Sequence, residues 1–277
     1  MIIPLLLMLA ARAAPEAAPA PVDTAWSVLT EGVESKSSDS RADAVRALGL
    51  LPKNQRAQEM AEKALSDANA EVRIAGVTAL GVMGAASSRR KLEALLNDKE
   101  VKVAVAAANA LYLLKDPAAY EVYYALLTGE RKSSAGLLQS QLNTLKDRKA
   151  MEKLAFETGI GFVPFGGMGY EAWKTVTQDD TSPVRAAAAE KLASDPDPKS
   201  GEALAKSCFD KKWRVRVAVV NAIARRGDPA LISALVPLLT DENRTVRYDA
   251  AAAILRLAAG RNSRPRRRDT TSRSRAD

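Results

Sequence analysis

Residues 210–257 read DKKWRVRVAVVNAIARRGDPALISALVPLLTDENRTVRYDAAAAILRL, and one pattern occurs in them twice. An Asp is followed after four spacers by Val-Arg, then by small and aliphatic residues ending in Ile eight places after the Val; the copies start 31 residues apart. Aliphatic residues every three or four places with Ala between them mark a helix that lays one face closely against another helix. An apolar helical stretch, PALISALVPLL, lies between the copies, so each unit is two helices, A then B. A helix pair repeated at this period predicts an α-solenoid.

Working outward, the Val position recurs at Ser40, Val72, Val103, Leu137, Val184, Val215 and Val246, at spacings of 32, 31, 34, 47, 31 and 31. Eight places after each stand Leu48, Leu80, Leu111, Leu145, Leu192, Ile223 and Ile254, all aliphatic. Seven helix pairs are therefore expected over residues 23–260. The Asp and the Arg occur together in four units, as Asp67 and Arg73, Asp179 and Arg185, Asp210 and Arg216, and Asp241 and Arg247. Repeat one has Ser35 in place of the Asp, repeat three has Ala104 in place of the Arg, and repeat four has Lys132 and Leu138. Such recurrence argues for a structural ladder: the Asp sits in the turn where it can cap helix B, and the Arg can reach the Asp of its own or an adjoining repeat.

On these residues the chain resembles the HEAT-repeat proteins, including the short bacterial HEAT-like units first noted among phycobilin lyases. The resemblance covers roughly residues 23–259. It implies a curved right-handed superhelix with the B helices lining the concave face, and it implies no substrate.

Composition narrows the function. There is no His and a single Cys among 277 residues, which excludes His-based triads, His-containing metal sites and internal disulfides. Cys208 reads as a small buried hydrophobe. No catalytic residue, metal site or cofactor is expected. The net charge is +8, but residues 261–277 hold seven Arg and two Asp, so +5 of it belongs to a tail without apolar anchors, read as disordered. At the other end MIIPLLLMLAARAAPEAAPAP is too short to span a bilayer and resembles a secretory signal with an Ala/Pro linker over residues 1–22. Export to the periplasm or beyond the cell is the expectation.

The 47-residue spacing exceeds the repeat by 16 residues and carries GIGFVPFGGMGYEAWK. Residues 156–173 contain five of the chain's 13 aromatics. Apolar, glycine-rich chain is costly to leave in water, so the insertion at 159–173 must pack on the array or meet a partner. Phe162, Pro164, Phe165, Gly166, Gly167, Tyr170 and Trp173 are the candidate partner-binding residues, with contact between 159–169 and a membrane as a lesser reading. The glycines do not form a dinucleotide or phosphate loop, because no strand precedes them and Gly167-Met168 stands where Lys and Ser or Thr are required. A second surface gathers Lys211, Lys212, Arg214, Arg225, Arg226, Arg244 and Arg256 around Trp213, which would suit nucleic acid. Export and the concentration of charge in the tail weigh against that partner. The expectation is an exported, non-enzymatic scaffold or adaptor for another protein. The alternatives are a nucleic-acid-binding solenoid and a lyase-like protein acting on a bound prosthetic group.

Overall fold

The computed structural model describes residues 20–128 and 181–262. Seven helices occupy the first stretch: α1 Pro21–Val33, α2 Ser38–Ala47, α3 Gln55–Ala64, α4 Ala70–Met83, α5 Arg89–Ala94, α6 Val101–Leu113 and α7 Ala118–Thr128. Five follow in the second: α8 Ser182–Leu192, α9 Pro198–Ser207, α10 Trp213–Arg226, α11 Ile232–Leu235 and α12 Arg244–Asn262. Among the described residues there is no strand, and the all-α solenoid expected from the periodicity is what the chain forms.

Local chemistry sets the helix ends. Asn54, Asn69 and Asp197 each turn a side-chain oxygen onto a backbone N–H in the first turn of α3, α4 and α9, satisfying a donor that has no partner within the helix. Helices α4 and α10 stop at Gly84 and Gly227, both at φ 70°, the left-handed conformation in which a Cβ is strained. Helices α5 and α11 are short and run into 3-10 segments, at Leu95–Asn97 and Val236–Thr240.

The core lies between the A and B layers. Leu48, Leu80, Leu111, Ile223 and Ile254, five of the residues eight places after the Val position, are 0% exposed. Leu192 is only partly buried and Val184 is 42% exposed; both lie on α8, where the second described stretch begins. Ala between the large residues lets backbones approach, and at Gly81 even a Cβ would come within 2.9 Å of Ala110 Cα.

The order of the stack departs from the order of the sequence. Helix α2 packs on α4 and α4 on α6; α8 packs on α10 and α10 on α12. Helix α12 then packs along α1 and against α2. The B helices therefore run α8, α10, α12, α2, α4, α6, and the last repeat of the chain sits beside the first. A uniform pitch predicts seven units in series; here repeats five to seven precede repeats one to three in space. Helix α1 lies along α12 more extensively than any other described A helix lies along the B helix before it.

Candidate interaction surface

The ladder is real, and it joins neighbours. Arg41 Nε and Nη2 donate to the Asp67 carboxylate at 2.8 and 2.9 Å, and Arg73 holds Asp98 at 2.9 and 2.8 Å. Arg185 holds Asp210 at 2.9 and 3.2 Å, and Arg216 Nη2 holds Asp241 at 2.7 Å. Each of these Arg residues reaches the carboxylate of the following repeat. Three of them, Arg41, Arg73 and Arg216, also donate Nη1 to carbonyls in the turn before their own B helix, as Arg73 does to Asp67 O at 2.9 Å and Arg216 to Asp210 O at 2.8 Å. Planar, forked donors suit this double task.

The carboxylates do not cap helix B, as their position suggested. Asp67, Asp98, Asp210 and Asp241 each accept from the backbone N–H two residues on, at 2.8 to 2.9 Å. That contact closes a turn before the helix, and the capping falls to the next residues, Asn69 in α4 and Asn243 in α12. The hydrogen bond from Arg41 holds the Asp67 carboxyl below its ordinary range against the opposing effect of burial. Burial pushes Asp210 up, but the bonds from Arg185 and from the backbone of Lys212 more than offset it. Asp241 in turn raises Arg216. The pairing thus favours the charged forms of Asp67, Asp210 and Arg216, although Arg216 Nε is buried without a hydrogen-bond partner.

Because the pairs run between units, the half-patterns make sense. Repeat one lacks the Asp but has Arg41, which serves Asp67; repeat three lacks the Arg but has Asp98, which serves Arg73. Neither Arg41 nor Asp98 was singled out by a pattern requiring both residues in one unit. The sequence did carry the signal: Ala104 replaces the Arg where Lys132 replaces the next Asp, and Ser35 opens repeat one.

Where α12 meets α1 and α2, another set of contacts replaces the ladder pair. Arg247 donates to the carbonyls of Asp241 and Glu242 in its own turn, and Ser35 offers it no carboxylate. Arg244 Nε instead donates to Asp43 Oδ2 at 2.7 Å and lies 3.6 Å from Asp39. Arg256 Nη1 donates to Leu50 O at 3.0 Å. Tyr248 fits against Gly32, where a Cβ would lie 2.5 Å from the ring and 2.7 Å from Ala44 Cβ.

The positions one place before and three, six and ten places after the Val position share a helix face and form a stripe that is accessible only in part. Leu50, Ala75, Ala106, Ala218, Asn221 and Ala252 on it are buried. Its first position holds Asp39, Glu71, Lys102, Pro183, Arg214 and Thr245, none of them buried and no two alike. Near the seam the stripe carries Asp249, whose Oδ2 accepts from Asn221 Nδ2 at 3.1 Å. Burial pushes the Asp249 carboxyl up to about 7; the Asn221 bond and the nearby Arg46 oppose this, and the charge of Asp43 adds to it.

Three of the seven residues of the basic cluster are structural, and Lys211, Lys212, Arg214 and Arg225 are exposed. Arg226 donates to the carbonyls of Asp195 and Asp197 beyond α8, Arg244 is taken by Asp43, and Arg256 by Leu50 O. Arg214 lies 4.7 Å over its neighbour Trp213. Cys208 is buried as expected, and burial raises its thiol to about 11. A half-open groove of about 420 Å³ runs between α1 and α3 over Val33, Met60 and Ala64. Its rim carries Glu34, Glu59, Arg56 and Lys63, so it favours neither an anion nor a cation. Among the described residues there is no group of acidic or Cys side chains able to hold a metal, and no helix long and apolar enough to cross a membrane. Asp179 and the insertion residues Phe162, Pro164, Phe165, Gly166, Gly167, Tyr170 and Trp173 lie outside the described residues.

Paired helices stacked through a shared Arg-Asp ladder define an α-solenoid. The chain belongs to the HEAT-repeat family, whose model for HEAT repeats matches residues 26–113, 58–134 and 171–255. Among solved structures it is similar to an engineered protein (18% identity, 86% of this chain and 97% of that one, TM-score 0.29). It is also similar to human deoxyhypusine hydroxylase in complex with glycerol (16% identity, 85% of this chain and 84% of that one, TM-score 0.29). At these TM-scores neither likeness extends to a site or an activity. A comparison with curated proteins gives no match.

Proposed function

We propose that the chain is a non-enzymatic scaffold or adaptor that binds another protein, exported to the bacterial cell envelope. HEAT repeats commonly mediate protein interaction. The observation that carries the reading is the contrast along each B helix: positions that pack recur as aliphatic residues, whereas the unburied position just before each Val changes charge and type from helix to helix. A surface held at constant pitch with variable chemistry suits recognition of an extended partner, with affinity gathered at a few anchoring aromatics and Arg residues. Phe162, Phe165, Tyr170 and Trp173 are the proposed anchors, and the unburied B-helix positions are a second proposed surface.

Partners would be identified by proximity labelling in the native cell. Replacing residues 160–169 by a short polar turn is expected to keep the cooperative melt and abolish capture. Capture that survives this change but is lost in Arg214→Glu/Arg225→Glu moves the anchor to the stripe; capture that survives both sinks the proposed surface. N-terminal sequencing of protein from its host is expected to begin between Ala14 and Val22, and intact Met1 on cytoplasmic protein refutes export.

A further inference from the structure

The seam between α12 and the α1–α2 pair is the one B-helix junction in the described array whose members are not consecutive in the chain. Arg244 and Asp43 are 201 residues apart, and Arg256 and Leu50 are 206. At every other described B-helix junction the next helix pair follows directly in sequence. The described residues on either side of the intervening chain are Thr128, at the end of α7, and Thr181, just before α8.

The faces that meet are apolar and close-fitting. On α1, Ala25, Leu29 and Gly32 are buried, and on α12 Tyr248 is buried against that face. If the halves part, each leaves such a face in water. The surface that already fits it, in shape and in charge, is the corresponding half of an identical molecule.

We propose that the seam is an exchange surface whose partner is a second copy of this chain. In the exchanged form, the C-terminal half of one copy seats its α12 on the α1–α2 pair of the other, and the reverse, giving a reciprocal dimer of two arrays. Exchange creates no new contact; it repeats between chains the contacts made within one. Within one chain the halves are covalently joined, so the closed monomer prevails in dilute solution and the dimer grows as protein concentration rises.

The test uses two full-length variants. In Arg244→Glu the new carboxylate faces Asp39 and Asp43; in Asp39→Lys/Asp43→Lys the new amines face Arg244. Each closed seam then sets like charges against each other, and so does each homodimer. In a mixed, exchanged dimer both seams are complementary. Light scattering is expected to show monomer for each variant alone. In the equimolar mixture a species of twice the mass containing both chains is expected, with the dimer fraction raised by about tenfold or more over wild type at equal concentration. The chain carrying all three substitutions should close on itself and stay monomeric. A mixture that remains monomeric while this triple variant folds as the wild type does overturns the proposal. Should the triple variant not fold, two differently tagged wild-type chains incubated together at millimolar concentration and then diluted decide the matter: co-purification of both tags supports exchange, and its absence overturns it.

Discussion

Two kinds of junction hold this array together. Inside each half, an Arg at the start of one B helix grips the Asp before the next, and in the Arg73–Asp98 and Arg216–Asp241 pairs all four side chains are at most 8% exposed. At the seam the corresponding Arg247 has Ser35 opposite its place, and the ion pair that forms instead, Arg244–Asp43, leaves the Arg 43% exposed. Burial is not uniform along the ladder, since Arg185 in its rung with Asp210 is 42% exposed. Where units are consecutive, the ion pair, buried or not, fixes the register of a contact that would form anyway. Where they are not, an apolar, close-approach face does most of the holding, with partly hydrated charges at its edge.

The largest effect should come from breaking the buried ladder. Arg216→Ala leaves Asp241 buried without its cation, and leaves the carbonyl of Asp210 without its Nη1 donor. Removing one partner of a buried pair costs about 3 to 5 kcal/mol. Denaturant melts of Arg216→Ala should show a loss of that size with the denaturant slope unchanged. A loss below 1 kcal/mol would mean that the ladder decorates the stack without holding it.

Next is the close approach at Gly32. A methyl group there meets both the Tyr248 ring and Ala44 Cβ, so Gly32→Ala should cost about 1 to 3 kcal/mol through overpacking. The change should appear first as faster amide exchange in α1 and α12, with α4 and α6 unaffected. Uniform acceleration through all the B helices would show that the seam is not a separately breakable joint.

The repeat itself was legible because packing positions are local: a Val and an aliphatic residue eight places later identify a B helix wherever they occur. The ladder was legible in its residues but not in its direction, since the same Asp and Arg could close within a unit or between units; only the half-patterns at Ser35 and Ala104 told these apart. The seam was not legible. It joins α12 to α2 by contacts between residues more than 200 positions apart, and no periodic pattern encodes which end of a repeat array meets which. Tyr248, Gly32 and Asp249 likewise read as ordinary helical residues until α12 and α2 are placed side by side.

Asp249 gives the seam region a pH dependence that the ladder lacks. Its carboxyl is raised from an ordinary 3.8 to about 7, so the folded state disfavours the charged form. The associated stability is fully present below about pH 4 and is lost as pH rises through 7. The depressed Asp67 and Asp210 behave oppositely, and their contribution fades only as pH falls below their ordinary range. Between pH 5 and 8 the melting temperature should therefore fall. Asp249→Asn should flatten that slope and raise the melting temperature at pH 8. An unchanged slope in the variant would assign the dependence to another group.

The smallest effect is expected at the pair that most resembles a ladder rung while lying at the seam. Arg244 donates to Asp43 at 2.7 Å, a geometry as good as that of Arg216 with Asp241. Its environment differs: the Arg is 43% exposed, against 8% for Arg216. An exposed ion pair gains little, because water screens the attraction and ordering two long side chains costs entropy; such pairs contribute about 0.2 to 1 kcal/mol. Asp43 also keeps Arg46 at 2.8 Å when Arg244 is removed, so no buried charge is stranded. Arg244→Ala should thus lower stability by less than about 1 kcal/mol, and a double-mutant cycle with Asp43→Ala should return a coupling energy of the same small size. Added salt should weaken that coupling while leaving the Arg216–Asp241 coupling nearly untouched, since buried pairs are screened much less. A coupling at the seam equal to that in the ladder would erase the distinction between the two junctions, and would mean that the chain holds its ends together by the same means as its neighbours.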